Sequence, residues 1–173
     1  MDKTRALAVG DPADPATRVG PMAREDLRTS LHAQVERSLA QGARLLTGGH
    51  PAQRPRFFYE PTVLTGTRPG MTVFDEETFG PVAAITSAAS DDQLAALANT
   101  SRYGLGLSIW SADPARAPSL TRNITSGAVF VNAIVASDPR LPFGGTKHSG
   151  HGRELATAEL REFTTIRTYW LSA

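Results

Sequence analysis

The sequence has no cysteine among its 173 residues. That absence excludes a disulfide scaffold, a thiolate-ligated zinc or iron–sulfur site, and a thiol nucleophile from within these residues. It also has no surplus of one charge. Lys and Arg number 18 against 17 Asp and Glu, and no five like charges adjoin, so neither a nucleic-acid-binding stripe nor an acidic tail is expected. No apolar run approaches the roughly 18 residues that a membrane span needs. Met1-Asp2-Lys3-Thr4-Arg5 lacks the apolar stretch of a signal peptide. A soluble cytoplasmic protein is the expected class. Four histidines (His32, His50, His148, His151) show no metal-ligand spacing, so no metal site is expected.

Generic catalytic motifs are absent as well. Tyr103-Gly104-Leu105-Gly106 lacks the third glycine of a dinucleotide loop, and at the end of Gly145–Gly150 His151 stands where a phosphate loop needs lysine. No Gly-x-Ser-x-Gly elbow, internal repeat or flexible linker occurs.

With 15 Gly and 12 Pro the chain is loop-rich. Two Asp-Pro pairs between Val9 and Met22 mark an extended loop. Leu27, Leu31, Val35 and Leu39 then form one apolar stripe at helical spacing, predicting a helix from Arg24 to Ala40 with Gly42 as its stop. Strands are expected at Arg44–Thr47, at Phe57–Leu64 (an edge or a bulge, given Pro61) and, buried, at Val82–Ile85. Ser90-Asp91-Asp92-Gln93 fits a capping box before a helix faced by Leu94, Leu97 and Ala98. Further strands are expected at Leu105–Trp110, Gly127–Asn132 and Thr164–Leu171. Asp113-Pro114 should open a helix that Pro118 ends or bends in its first turn, and Arg153–Phe163 should form another. The loop between Ala133 and Gly152 is long enough to be functional. Strands alternating with helices predict an α/β sheet. The chain opens on a loop with no preceding strand–helix unit, and Asp2–Ala8 reads as the tail of a helix, so an incomplete N-terminal end is expected.

Three segments resemble the aldehyde dehydrogenase superfamily. They are Glu76-Glu77-Thr78-Phe79-Gly80-Pro81-Val82, where the family usually has Ile at Thr78; Gly127-Ala128-Val129-Phe130-Val131-Asn132; and Pro142-Phe143-Gly144-Gly145-Thr146-Lys147-His148-Ser149-Gly150 with the residues that follow. The loop from Val9 to Met22 and the run from Asn99 to Leu105 support them, in family order across nearly the whole chain. Ala136–Gly145 and the segment from Gly152 to Trp170 are similar to the bacterial succinate-semialdehyde dehydrogenase branch.

The resemblance implies an α/β, open-sheet catalytic-domain fragment over residues 1–162 and a C-terminal oligomerisation strand over 163–173. It implies NAD or NADP as cofactor, a small-molecule aldehyde as substrate (succinate semialdehyde), and a homo-oligomer or association with full-length aldehyde dehydrogenase. Neither nucleic acid nor membrane is an implied partner. Family chemistry uses a cysteine thiolate and a glutamate base that lie upstream of this chain's first loop, so no catalytic residue is expected here and the chain alone is expected to be inactive, with weak cofactor affinity. Glu77 matches the carboxylate that binds the nicotinamide ribose hydroxyls, and Phe79 the aromatic beside the nicotinamide ring. Ser137 matches the position that bonds the substrate's distal carboxylate, with Arg140 nearby, and Phe143 one lining the aldehyde tunnel. Asn132 is expected to make a structural hydrogen bond and Lys147 to face solvent. A non-catalytic module that binds full-length subunits through its C-terminal strand is the alternative.

Overall fold

The computed structural model describes residues 1–172. Two compact units divide the chain, Met1–Ala89 and Ser90–Ala173.

In the first unit, α1 (Asp2–Arg5) is a single turn and α2 (Glu25–Ala40) is the one long helix. The apolar stripe sets the buried face of α2: Leu31 and Val35 are inaccessible, with Tyr59, Leu64 and Val73 completing the core and Met22, Leu39 and Val82 lying against it. The helix ends as its glycine predicts. Gly42 takes φ 101°, its N–H donates to Leu39 and the Ala43 N–H donates to Ser38, so the last carbonyls are satisfied by a Schellman turn.

The first unit's sheet has the order β1-β2-β3, with β1 (Arg44–Thr47) antiparallel and β3 (Val82–Ile85) parallel to β2 (Thr62–Thr65). Pro61 precedes the central strand, where its missing N–H falls outside the ladder, so β2 is neither an edge nor bulged. The irregularity lies opposite, where Leu45 faces Leu64 and Thr47 faces Val63, leaving Leu46 as the extra residue. β3 forms at the expected residues but is not buried. It is an edge strand whose Ala83, Ala84 and Ile85 are exposed. The one-turn helix α3 (Thr72–Asp75) links β2 to β3.

The second unit is built differently. It holds α4 (Asp91–Thr100), β4 (Tyr103–Gly104), β5 (Leu107–Ile109), a 3-10 turn at Pro114–Arg116, α5 (Ala117–Thr121), β6 (Val129–Val131), β7 (Thr146–Lys147) and α6 (Ala156–Glu162). β5 and β6 run parallel, and β4 pairs antiparallel with β7. Ser90 caps α4 by accepting the Gln93 N–H, and Asp113 caps the 3-10 turn by accepting the Ala115 N–H. Ala95 and Ala117 are its only buried apolar side chains among the described residues, while Trp110, Ile134 and Leu141 are exposed.

Two expectations at the C-terminus change. Leu155 and Ala156 both take left-handed φ, 66° and 53°, so α6 starts at Ala156 rather than at Arg153. Residues 164–172 form no strand: Ile166, Trp170 and Leu171 are about nine-tenths exposed, and no described segment pairs with them. Thr164–Leu171 has strand composition, but a ladder needs a second strand, and no described segment of this chain supplies one. Ala173, the end of the expected oligomerisation segment 163–173, lies outside the described residues.

The contrast between the units is testable by urea unfolding. Leu31→Ala should lower stability by about 2–5 kcal/mol, and Trp110→Ala, at a mostly exposed ring, by less than about 0.5 kcal/mol. Equal losses would contradict this placement of the core.

Candidate functional site

The segment from Glu76 to Gly80 leaves α3 and enters β3. Two groups on α2 hold it from one side. Gln34 Nε2 donates to the Glu76 carboxylate at 3.0 Å and to the Glu77 carbonyl at 3.1 Å, and Arg37 donates to the same Glu76 oxygen at 3.3 Å. Gly80 lies against the core itself, because a Cβ there would overlap Leu31. The Pro81 carbonyl then accepts the Thr62 N–H at 2.8 Å, which starts the ladder. What this fixed backbone presents outward is an exposed Glu77, whose carboxylate has no hydrogen-bond partner among the described residues, and Phe79, 75% exposed.

A solvated carboxylate can accept the hydroxyl hydrogens of a diol, and an uncovered aromatic ring offers an apolar face to a flat ring. Glu77 and Phe79 are the residues of this segment that could hold such groups. No phosphate loop accompanies them in this unit.

The other two residues singled out, Ser137 and Phe143, sit in the long loop of the second unit. Its origin is fixed by Asn132, whose Oδ1 accepts the Ser111 N–H and whose Nδ2 donates to the Ser111 carbonyl, both at 2.9 Å. Asn132 takes φ 53°, a conformation asparagine tolerates, and its role is structural as expected. Ser137 is exposed. Beyond it, Asp138 clamps Arg140: its carboxylate accepts the Arg140 N–H at 2.9 Å and the guanidinium at 2.9 and 2.6 Å. Arg140 is thus already paired. That bond is the main cause holding the Asp138 carboxyl below its ordinary value, with the Arg140 backbone N–H second.

Phe143 is half-buried, and its backbone exchanges two 2.8 Å hydrogen bonds with Glu154. It lines a cleft of about 430 Å³ together with Leu105, Ser149, His151, Arg153 and Phe163. Ser137 does not line that cleft, so these two residues share a loop but not a wall. Close backbone approach shapes this region: a Cβ on Gly127 would overlap the Gly144 carbonyl.

Lys147 departs from its expected place. It is half-buried, and Nζ donates to the carbonyls of Asn99 and Ser101 at 3.1 and 2.9 Å. A cation there satisfies the last carbonyls of α4 and suits the negative end of the helix dipole. Sequence spacing gives no hint of it, since 46 to 48 residues separate the partners. Among the described residues no cluster of His, Asp and Glu could hold a metal ion, and no helix is long and apolar enough to cross a membrane.

The family model described as "Aldehyde dehydrogenase family" matches residues 1–169. A succinate semialdehyde dehydrogenase [NAD(P)+] of Escherichia coli (strain K12) is 50% identical over 165 residues, covering 95% of this chain and 36% of that protein. A succinate-semialdehyde dehydrogenase [NADP(+)] of Mycobacterium ulcerans is 43% identical, with coverages of 99% and 37%. The solved succinic semialdehyde dehydrogenase of Streptococcus pyogenes, in complex with NADP+, superposes with a TM-score of 0.93 at 32% identity, over 99% of this chain and 38% of that one. This mixed α/β chain thus spans little more than a third of the length of the relatives it matches.

The Asp138 clamp gives a direct check. Protonating a carboxylate whose folded pKa is depressed costs the folded state stability, and the loss comes as pH falls through that value. Followed by NMR, the Asp138 carboxyl should titrate below the ordinary ~3.9 of a free aspartate, and Arg140→Ala, which removes the guanidinium but keeps the backbone N–H, should raise it toward that value. An unchanged midpoint in the variant would show that Arg140 does not hold the loop.

Proposed function

This chain belongs to the aldehyde dehydrogenase family, and on that premise we propose that it is the C-terminal part of an NAD(P)+-dependent dehydrogenase acting on succinate semialdehyde. The observation that carries this reading is that Glu77 and Phe79 are both exposed on one short segment whose backbone Gln34 of α2 bonds at Glu77. The names of the similar proteins favour the substrate.

When bound, NAD(P)+ supplies the hydride acceptor that makes an aldehyde oxidation possible. Glu77 would hold the ribose hydroxyls, its carboxylate oxygens accepting from them. Phe79 would lie against the nicotinamide ring and keep water from it. On the substrate side, the Ser137 hydroxyl donates to the distal carboxylate and Phe143 forms an apolar wall. Arg140, held by Asp138, is a weaker candidate for that carboxylate than Ser137.

With no cysteine in 173 residues, the nucleophile of thiolate chemistry has to come from outside them. The chain alone therefore does not turn over, and because Glu77 and Phe79 would reach only the nicotinamide end of the cofactor, it binds that cofactor weakly. A second reading, a non-catalytic module that joins full-length subunits, is favoured by the exposed Phe163, Ile166, Trp170 and Leu171. Both readings entail association, but only the first requires Glu77 for activity.

The test is reduction of NAD+ or NADP+ by succinate semialdehyde. The purified chain should give no turnover, and co-expression with the remaining N-terminal part of the Escherichia coli relative should restore it. Glu77→Gln should then lower the restored kcat/KM by about 10–100-fold, the loss of a charged hydrogen-bonding pair. Turnover by the chain alone, or restored activity indifferent to Glu77→Gln, would contradict the proposal.

A further inference from the structure

α2 carries a second stripe beside its apolar one. Gln34, Ser38 and Gln41 recur at helical spacing, and all three side chains bond to the segment between β2 and β3. Gln41 Oε1 accepts the Thr72 N–H at 2.8 Å. Ser38 Oγ accepts the Val73 N–H at 3.0 Å while donating to the Gln34 carbonyl at 2.8 Å. These two N–H groups open α3, where a helix has no internal acceptors for its first donors and where Met71 offers no side-chain cap. The side chains of α2 take the place of that cap.

Gln34 completes the row at the far end. Both of its contacts, the Glu76 carboxylate and the Glu77 carbonyl, are acceptors, so the amide nitrogen must face them, and each of its hydrogens has its own partner. The Glu77 carbonyl belongs to no helix or strand ladder, so this is the bond that fixes its peptide. The side-chain carboxylate of Glu77 is left free. Gln34 is not a member of the buried core cluster, which Leu31 and Val35 supply from the same helix.

We infer that Gln34 is a positioning residue for Glu77: it holds the 76–77 backbone in place so that the carboxylate meets a ribose diol without first having to be ordered. The inference rests on the reading of Glu77 given above. Ordering a loop at the moment of binding weakens affinity, and a bond that orders it beforehand removes that cost.

The test uses the full 173-residue chain and nicotinamide mononucleotide as the probe, with amide-resolved NMR reading three things: affinity, fast motion at Glu77 to Phe79, and hydrogen-exchange protection at Leu31, Val35 and Leu64. Gln34→Leu should weaken the probe's Kd by about 3–10-fold and raise the motion at Glu77 to Phe79, with core protection kept. If that variant loses core protection, Gln34→Glu, similar in shape but with no N–H to give, carries the same expectation. Glu77→Gln serves as the reference. If Gln34 variants bind as the wild type while Glu77→Gln binds weakly, or if binding weakens with no added motion, the positioning role is overturned. If Glu77→Gln itself binds as the wild type, the ribose reading fails and the inference falls with it.

Discussion

The seating of α2 on β2 is the contact on which the first unit depends. Leu31 and Val35 reach Tyr59, Leu64 and Val73, and the bonds from Gln34 and Arg37 that hold the segment at Glu76 and Glu77 come from the helix so anchored. Tyr59 is wholly buried and its phenol is pushed up to about 12, mainly by that burial with the Glu36 charge adding to it. The phenol therefore keeps its proton at neutral pH and lies 3.1 Å from His32 Nδ1 on the same helix. The core and the candidate site also meet at Leu31, since Gly80 can turn the chain into β3 only by lying flat against that side chain. Packing, helix position and the aim of Glu77 are thus links of one chain of causes.

Among its described residues the second unit has no comparable core, and beside its two short ladders hydrogen bonds between side chains and backbone hold its loops. Asn132 grips Ser111, Lys147 grips the end of α4, Ser149 accepts the Gly104 N–H at 3.0 Å, and Arg153 donates to the Gly145 carbonyl at 2.7 Å. Such bonds fix where loops go but bury little apolar surface, which leaves Trp110, Ile134 and Leu141 exposed.

Local features were legible in the sequence where the cause is local. The Leu27–Leu39 stripe, Gly42, Ser90 and Asp113 act within a turn or two of themselves, and the structure puts each helix start or stop where they indicate. β1 and β3 also form at the expected residues. Features that depend on a distant partner were not legible. The exposure of β3 depends on its place at the sheet edge, Thr164–Leu171 lacks a strand to pair with, and Lys147 finds carbonyls far back in the chain. The bonds of Gln34, Ser38 and Gln41 to the segment after β2 were not legible either, because polar spacing alone does not tell water from a neighbouring backbone. The residues matched to a cofactor came from resemblance; composition and periodicity alone reached an α/β domain and no reaction.

We propose that Glu77 and Phe79 form a ready-made seat for the nicotinamide riboside part of NAD(P)+, and a map of amide shifts as NAD+ or NADP+ is added to the chain tests it most directly. Shifts centred on Glu76 to Gly80 and on Gln34, which bonds to Glu76 and Glu77, are expected. Shifts confined to the Leu105–Phe143 cleft, with the Glu76–Gly80 segment unmoved at saturating cofactor, would contradict it.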